Sequence, residues 1–306
     1  MRILVTGGAG FIGSNLVPQL LKRNHEVVVF DNLYTGKLEN LDKVSEHKNF
    51  SFIKGDIRSP DEMRNALLGI DSVVHLAALI DVTASVKDPF LTHDVNVTGT
   101  LNLLHQMVNT EVKKIVFASS TAVYGDVKTL PVQENTPLQP ISPYAASKAA
   151  CEAYLTAFSI CYNTETVAMR FFNVYGPKNE NSPYSGVITK FLRKAQNGEA
   201  LTVEGDGEQT RDFIYVSDIA QALTLAVEAK GLKSEVFNVC TGTPTSINDL
   251  AETLKQVTQK NLTITHNPAR IGDIRFSYGD PDKAVKKLGF KAEISLQKGL
   301  EFLYNN

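Results

Sequence analysis

A tyrosine and a lysine four residues apart occur twice in this chain, as Tyr124 and Lys128 in YGDVK and as Tyr144 and Lys148 in SPYAASK. On one face of a helix such a pair is a candidate acid–base unit. An ammonium beside a phenol stabilises the phenolate and draws down a pKa that is about 10 in isolation. Spacing alone does not separate the two pairs; their settings do. Gly125 and Asp126 form a turn dipeptide between the first two residues, so those side chains need not share a face. The second pair follows Ser142 and Pro143, an N-cap and a first-turn proline, and continues into AASKAACEAYLTAFSICY, rich in Ala. In that helix positions i and i+4 point the same way, and Tyr144 with Lys148 is the pair expected to do chemistry.

Elements that could hold such a helix are visible along the first half of the chain. The apolar runs RILV, EVVVF, SFI, SVVHLAA, KKIVFASS and TVAMRFF are separated by helix-like segments such as FIGSNLVPQLLKR. Runs apolar on both faces suit a parallel sheet covered by helices on each side, so residues 1–172 read as a doubly wound α/β domain. From Asn173 onward the texture shifts to Gly/Pro/Asn-rich loops, short strands and late helices near DPDKAVKKLG and SLQKGLEFLY. Residues 173–306 are therefore expected to form a smaller α/β substrate domain, with a segment near 212–238 returning to the first.

Immediately after the first apolar run comes TGGAGFIGSNL, in which Gly8-x-Gly10-x-x-Gly13 opens a helical pattern. Strand before and helix after make this a dinucleotide-binding fingerprint: a tight turn, close backbone approach to a pyrophosphate, and phosphates at a helix N-terminus. Asp31 ends the next strand, where a carboxylate accepts from the adenosine ribose hydroxyls and repels a 2′-phosphate. NAD is favoured over NADP. Asp56 in FIKGDI either sits beside the adenine or is a turn aspartate. No GxxxxGKS or GxxxxGKT loop is present, which removes the nucleoside triphosphatases. A cationic nicotinamide near Tyr144 would lower the phenol pKa further.

The bulk properties agree with a small-molecule partner. The chain has 306 residues, 43% hydrophobic and 21% charged, with a formal net charge of -2, which lacks the excess of Lys and Arg that nucleic acid or anionic membrane demands. No apolar stretch approaches bilayer length, and the N-terminal run stops too early for a signal peptide, so a cytoplasmic protein is expected. Cys151, Cys161 and Cys240 have no CxxC spacing and read as buried thiols in a reducing compartment; no metal site is expected.

TGGAGFIG, Asp31-Asn32-Leu33, HLAA (His75 to Ala78), Asn96 in NVTGTLNLL, SSTAVYG (Ser119 to Gly125), YAASK, RFFNVYGP, RDFIYVSD and ARIGD (Ala269 to Asp273) occur in this order along almost the whole chain. Together they resemble the extended short-chain dehydrogenase/reductase family, most closely its NAD-dependent nucleotide-sugar 4-epimerases. The resemblance implies a catalytic triad of Ser120, Tyr144 and Lys148. It also implies NAD contacts from Gly7, Gly10, Phe11, Ile12, Gly13, Asp31, Asn32, Asp56, Ile57, Ala77 and Asn96, besides Tyr144 and Lys148. Asn173, Arg211, Arg270 and Asp273 match positions that hold the nucleotide diphosphate and its ribose, where an arginine fork does what lysine cannot. Ser277 matches a position against the C2 substituent of the sugar, where a small residue admits N-acetylhexosamines. The implied substrates are UDP-glucose and UDP-galactose, extended by Ser277 to their N-acetylated counterparts.

Two alternatives stay on the same fold, a UDP-glucuronate 4-epimerase and a nucleotide-sugar dehydratase or decarboxylase. Dehydratases of the family carry an acidic pair after the Ser/Thr position, where this chain has Thr121 and Ala122. A non-catalytic NAD-binding regulator is the rival from another class, and the intact tyrosine and lysine speak against it. THDVNVTGTLNLLHQMV and the YAASK helix resemble the two helices that build a four-helix dimer interface in relatives, so a homodimer is implied.

Overall fold

The computed structural model describes residues 1–178, 186–269 and 274–305, so the predicted site residues Arg270 and Asp273 lie outside the described residues. The first half alternates strand and helix: β1 (Arg2–Thr6), α1 (Phe11–Lys22), β2 (Glu26–Asp31), a 3₁₀ segment (Leu38–Val44), β3 (Phe50–Lys54), α2 (Pro60–Ala66) and β4 (Ser72–His75). Then come α3 (Val82–Lys87), α4 (Pro89–His93), a π-helical turn (Asp94–Thr98), α5 (Gly99–Val108), β5 (Lys114–Ser120), α6 (Pro143–Tyr162) and β6 (Glu165–Phe171). The remainder is β7 (Asn173–Tyr175), α7 (Val187–Asn197), β8 (Leu201–Glu204), β9 (Thr210–Arg211), β10 (Phe213–Tyr215), α8 (Val216–Glu228), β11 (Glu235–Val239), β12 (Thr245–Ser246), α9 (Ile247–Thr258), β13 (Ile264–Asn267), α10 (Asp282–Leu288) and α11 (Leu296–Tyr304).

Among the described residues one parallel sheet of seven strands runs in the order β11-β6-β5-β4-β1-β2-β3, the doubly wound α/β fold expected from the buried apolar runs. Strand order reverses between β1 and β4, and the crevice outside their carboxyl ends is where such sheets bind ligands. On one face Leu16, Val17 and Leu20 of α1 and Leu223 and Val227 of α8 pack on Val5 and Val29. On the other, Met63, Leu103, Leu155 and Phe158 from α2, α5 and α6 cover Phe30 and Phe117. β3 departs from the both-faces-buried expectation: it is the sheet edge, and its residues are half-buried or exposed.

The later strands form three pairs, β7 with β10, β8 with β13 and β9 with β12. Phe191 and Leu192 of α7, Leu250 and Leu254 of α9 and Leu300 of α11 close a separate apolar cluster over them. β11 and α8 belong to the large sheet and its covering layer. No helix of the described residues is long and apolar enough to cross a membrane. Cys151 and Cys240 are buried, but Cys161 is exposed, against the expectation for all three thiols. It sits in the last turn of α6, a helix with solvent along one side.

Candidate active site

Ser142 accepts from the Ala145 N–H and Pro143 opens the first turn, so α6 starts where its cap residues dictate. Tyr144 thereby lies at the mouth of the helix, its own N–H donating to Ser85 Oγ of α3 at 3.1 Å. One turn on, Lys148 is buried, its Nζ 2.8 Å from the Ala118 carbonyl and 4.6 Å from the centroid of the Phe117 ring. Ser120 ends β5 and hydrogen-bonds the Tyr144 phenol. The competing pair is disposed of: Tyr124 gives its hydroxyl to Asn238 Oδ1 at 2.7 Å, while Lys128 pairs with Asp126.

The electrostatics differ from the sequence expectation in one respect. Burial pushes the Tyr144 phenol up, opposed by the Ser120 hydrogen bond. Burial also pushes the Lys148 ammonium down, to about 8. A phenol so raised stays protonated near neutrality in the protein alone.

The cleft beside this group has a volume of about 480 Å³ and is lined by Ser120, Thr121, Tyr144, Asn173, Arg211 and Ser277, with apolar walls from Val82 and Val86. Residues from distant parts of the chain thus converge on Ser120 and Tyr144. Asp212 organises the far side. Fully buried, it accepts from Thr241 N and Gly242 N at 2.8 and 2.9 Å, which anchors the strand carrying Arg211. Ser277 is held to that same strand by its N–H to the Thr210 carbonyl, 3.1 Å.

Behind the site Arg170 and Glu152 form a buried ion pair of 2.6 Å, and Ser119 donates to the same carboxylate at 2.5 Å. The end of β5, the body of α6 and β6 are locked together by this group, which sets where Ser120 stands relative to Tyr144. Sequence reading named Arg170 only within a motif and did not reach Glu152.

The glycine loop is shaped for close approach. A Cβ at Gly13 would fall 2.5 Å from Gly8 Cα, and one at Gly7, where φ is +69°, would fall 2.7 Å from Ala77 N. Gly10 caps α1 without a side chain, and the first turn of that helix holds no acidic residue. Phe11 and Ile12 sit in that turn. Asp31, buried at the end of β2, takes the Ala9 and Leu33 N–H groups at 3.0 and 2.8 Å, which aims its carboxylate across the loop. A backbone cradle with no room for side chains, a helix N-terminus facing it and a carboxylate beside it fit a dinucleotide.

Other predicted cofactor residues work less directly. Asp56 is bound by Arg58 and by Asn32 Nδ2 at 3.1 Å, and the Arg58 hydrogen bond chiefly holds its carboxyl down at about 2. Ile57 packs against Gly99 and gives its carbonyl to Asn102. Asn96 spends its amide on both backbone groups of Leu79 and on Ser147 Oγ of α6. Its side chain ties the loop after β4 to α6.

A buried chain runs underneath. Thr100 gives its hydroxyl proton to the Asn96 carbonyl, so it accepts from His75 Nε2 at 2.9 Å, and His75 Nδ1 accepts from Thr6 Oγ1 at 2.6 Å. His75 is thus neutral with its proton on Nε2. Burial, aided by the nearby Lys148 charge, pushes its pKa down to about 3. The unfolded chain, with an imidazole pKa of about 6.5, binds more protons between those values, so stability falls as pH drops through that window. Between pH 7 and 5 the wild type should lose about 2 kcal/mol more than His75→Gln. Denaturant titrations of both proteins check this, and parallel losses would mean that His75 carries no such linkage.

A family model described as GDP-mannose 4,6 dehydratase matches residues 4–303. The UDP-glucose 4-epimerase of Mycolicibacterium smegmatis is 36% identical over 307 residues, covering 98% of this chain and 96% of that protein. The structure of UDP-N-acetylglucosamine 4-epimerase from Methanobrevibacter ruminantium M1 in complex with UDP-N-acetylmuramic acid superposes with a TM-score of 0.93 at 39% identity, covering 100% of this chain and 99% of that one. The Thermus thermophilus UDP-glucose 4-epimerase complex with NAD gives 0.90 at 36% identity, covering 100% and 98%.

Proposed function

Since the chain belongs to the GDP-mannose 4,6-dehydratase-like group of the extended short-chain dehydrogenase/reductase family, we propose that it is an NAD-dependent 4-epimerase of UDP-hexoses. The observation that carries this reading is the cleft that joins Ser120 and Tyr144 to Asn173, Arg211 and Ser277. NAD, when bound, would supply the hydride acceptor and donor that inversion at the sugar C4 needs, together with a positive charge that favours a phenolate.

The chain's own residues do the rest. Tyr144 takes the O4 proton and later gives it back, and Ser120 holds both the phenol and the sugar oxygen. Lys148, kept charged below about pH 8, favours the phenolate. Asn173 and Arg211, with Arg270 and Asp273, hold the nucleotide diphosphate and its ribose. The sugar alone then turns between the two half-reactions. Gly7, Gly10, Phe11, Ile12, Gly13, Asp31 and Asn32 hold the dinucleotide, Ala77 closes against Gly7, and Asp56, Ile57 and Asn96 support that wall. Residues 1–172 with the segment near 212–238 form the NAD-binding unit, and 173–306 otherwise the nucleotide-sugar unit.

The test is conversion without added reductant. Purified protein incubated with UDP-glucose, UDP-galactose, their N-acetylated counterparts and UDP-glucuronate, each followed by NMR, should give a 4-epimer pair from the neutral sugars. No conversion of any of them removes the proposal.

A homodimer through α5 and α6 is part of the same reading. On α6 Ile160 is 76% exposed and Tyr154 adds to the uncovered apolar surface, with Phe90 of the adjoining α4 86% exposed. Sedimentation that shows monomer alone would remove it. A cytoplasmic location is supported by the three unpaired thiols and is checked by cell fractionation.

A further inference from the structure

Pro18 lies inside α1, the helix whose N-terminus faces the glycine loop. Proline has no N–H, so the carbonyl four residues earlier, that of Ser14, loses its helical donor. Lys178 fills the gap. Its Nζ lies 3.3 Å from the Ser14 carbonyl and 2.6 Å from the Asn40 carbonyl. Asn40 in turn donates through Nδ2 to the Ala9 carbonyl at 2.8 Å, joined there by the Lys37 N–H at 3.2 Å. Ala9 is the glycine-loop residue whose N–H is held by Asp31. One ammonium therefore ties the dinucleotide helix to the segment folded over the dinucleotide loop.

Lys178 reaches this point from the sugar side. It follows β7, whose Asn173 lines the cleft, by way of Gly176 and Pro177. Gly176 is pressed so closely on Val216 that a Cβ would fall 2.4 Å from Val216 Cγ1, which fixes the direction of the chain. Lys178 itself has a φ of +69°, a left-handed conformation costly for a residue with a side chain. Glycine would hold that backbone without strain but would supply no ammonium.

We propose that Lys178 is a positioning residue that clasps the glycine loop and retards release of NAD, coupling the sugar-binding strand to retention of the cofactor. The inference rests on the functional reading above. It needs no direct contact between Lys178 and the dinucleotide, because the lysine acts through Ser14, Asn40 and Ala9.

The experiment measures release of radiolabelled NAD from loaded protein into excess unlabelled NAD. Lys178→Met should release it about tenfold faster, the effect of losing one charge-assisted hydrogen bond. Lys178→Arg, which keeps donors for both carbonyls, should stay within about threefold of wild type. Lys260→Met is the control: Lys260 caps the Ala195 and Gln196 carbonyls at 2.8 and 3.1 Å in the other lobe, the same chemistry away from the loop. Release from that variant should match wild type even if its melting temperature falls. Unchanged release from Lys178→Met, or equal acceleration in Lys178→Met and Lys260→Met, overturns the inference. A wild-type protein that takes up no NAD overturns the functional reading instead.

Discussion

Tyr144→Phe should lower kcat by about a hundredfold to ten-thousandfold, the range for loss of a positioned general acid–base group, while the purified protein keeps its full content of NAD. The substitution removes one oxygen and leaves the ring, so the packing at the head of α6 is preserved. Ser120 loses the phenol but still accepts from the Ala122 N–H at 3.2 Å, so no buried hydroxyl is stranded. The cap at Ser142 and the Ser85 contact use backbone groups, which phenylalanine retains. Turnover by NMR and bound nucleotide by absorbance check the two halves separately. Loss of cofactor in step with activity would give Tyr144 a structural role and remove it from the acid–base chemistry.

The same cleft bears on the choice between epimerisation and elimination. Thr121 and Ala122 line it next to Ser120, where an elimination needs a carboxylic acid to protonate the departing C6 hydroxyl. A threonine hydroxyl and a methyl group do not supply that proton at neutral pH.

Much of this was legible because it is local. Apolar runs mark the strands, and Ser142 with Pro143 marks the start of α6. The glycine spacing marks the loop because backbone crowding there tolerates nothing larger. What sequence did not reveal lies in pairings between residues far apart. Glu152 and Arg170 look like surface charges until β6 and α6 are packed face to face. His75 gives no periodic signal; burial keeps it neutral, and Thr6 and Thr100 on either side of its ring set its tautomer. Lys178 is meaningful only once a carbonyl freed by Pro18, 160 residues away by number, is brought beside it. The phenol was misjudged for a related reason: i and i+4 spacing says that Tyr144 and Lys148 share a face, but burial of both is a property of the assembled core.

We propose that Ser277 sets the substrate range. Its N–H is fixed to Thr210 beside Arg211, and the residue lines the cleft that holds Ser120 and Tyr144, so it does not simply face water as a loop hydroxyl. The family resemblance implies a tyrosine at the matching position, against the C2 substituent, in members confined to glucose and galactose. A phenol ring there would occupy the volume that an acetamido group needs. Overpacking costs about 1–3 kcal/mol and sometimes more, and each 1.4 kcal/mol is about tenfold in kcat/KM. We therefore expect the wild type to interconvert the N-acetylated UDP-hexoses as well as UDP-glucose and UDP-galactose. Ser277→Tyr should cut the acetylated activity by about tenfold to a thousandfold and spare the other. The ratio of the two kcat/KM values is the measurement, since a general loss of fold or cofactor lowers both and leaves the ratio unchanged. Equal falls in both activities, or a wild type that never accepts an acetylated sugar, would mean that another residue sets the limit at C2.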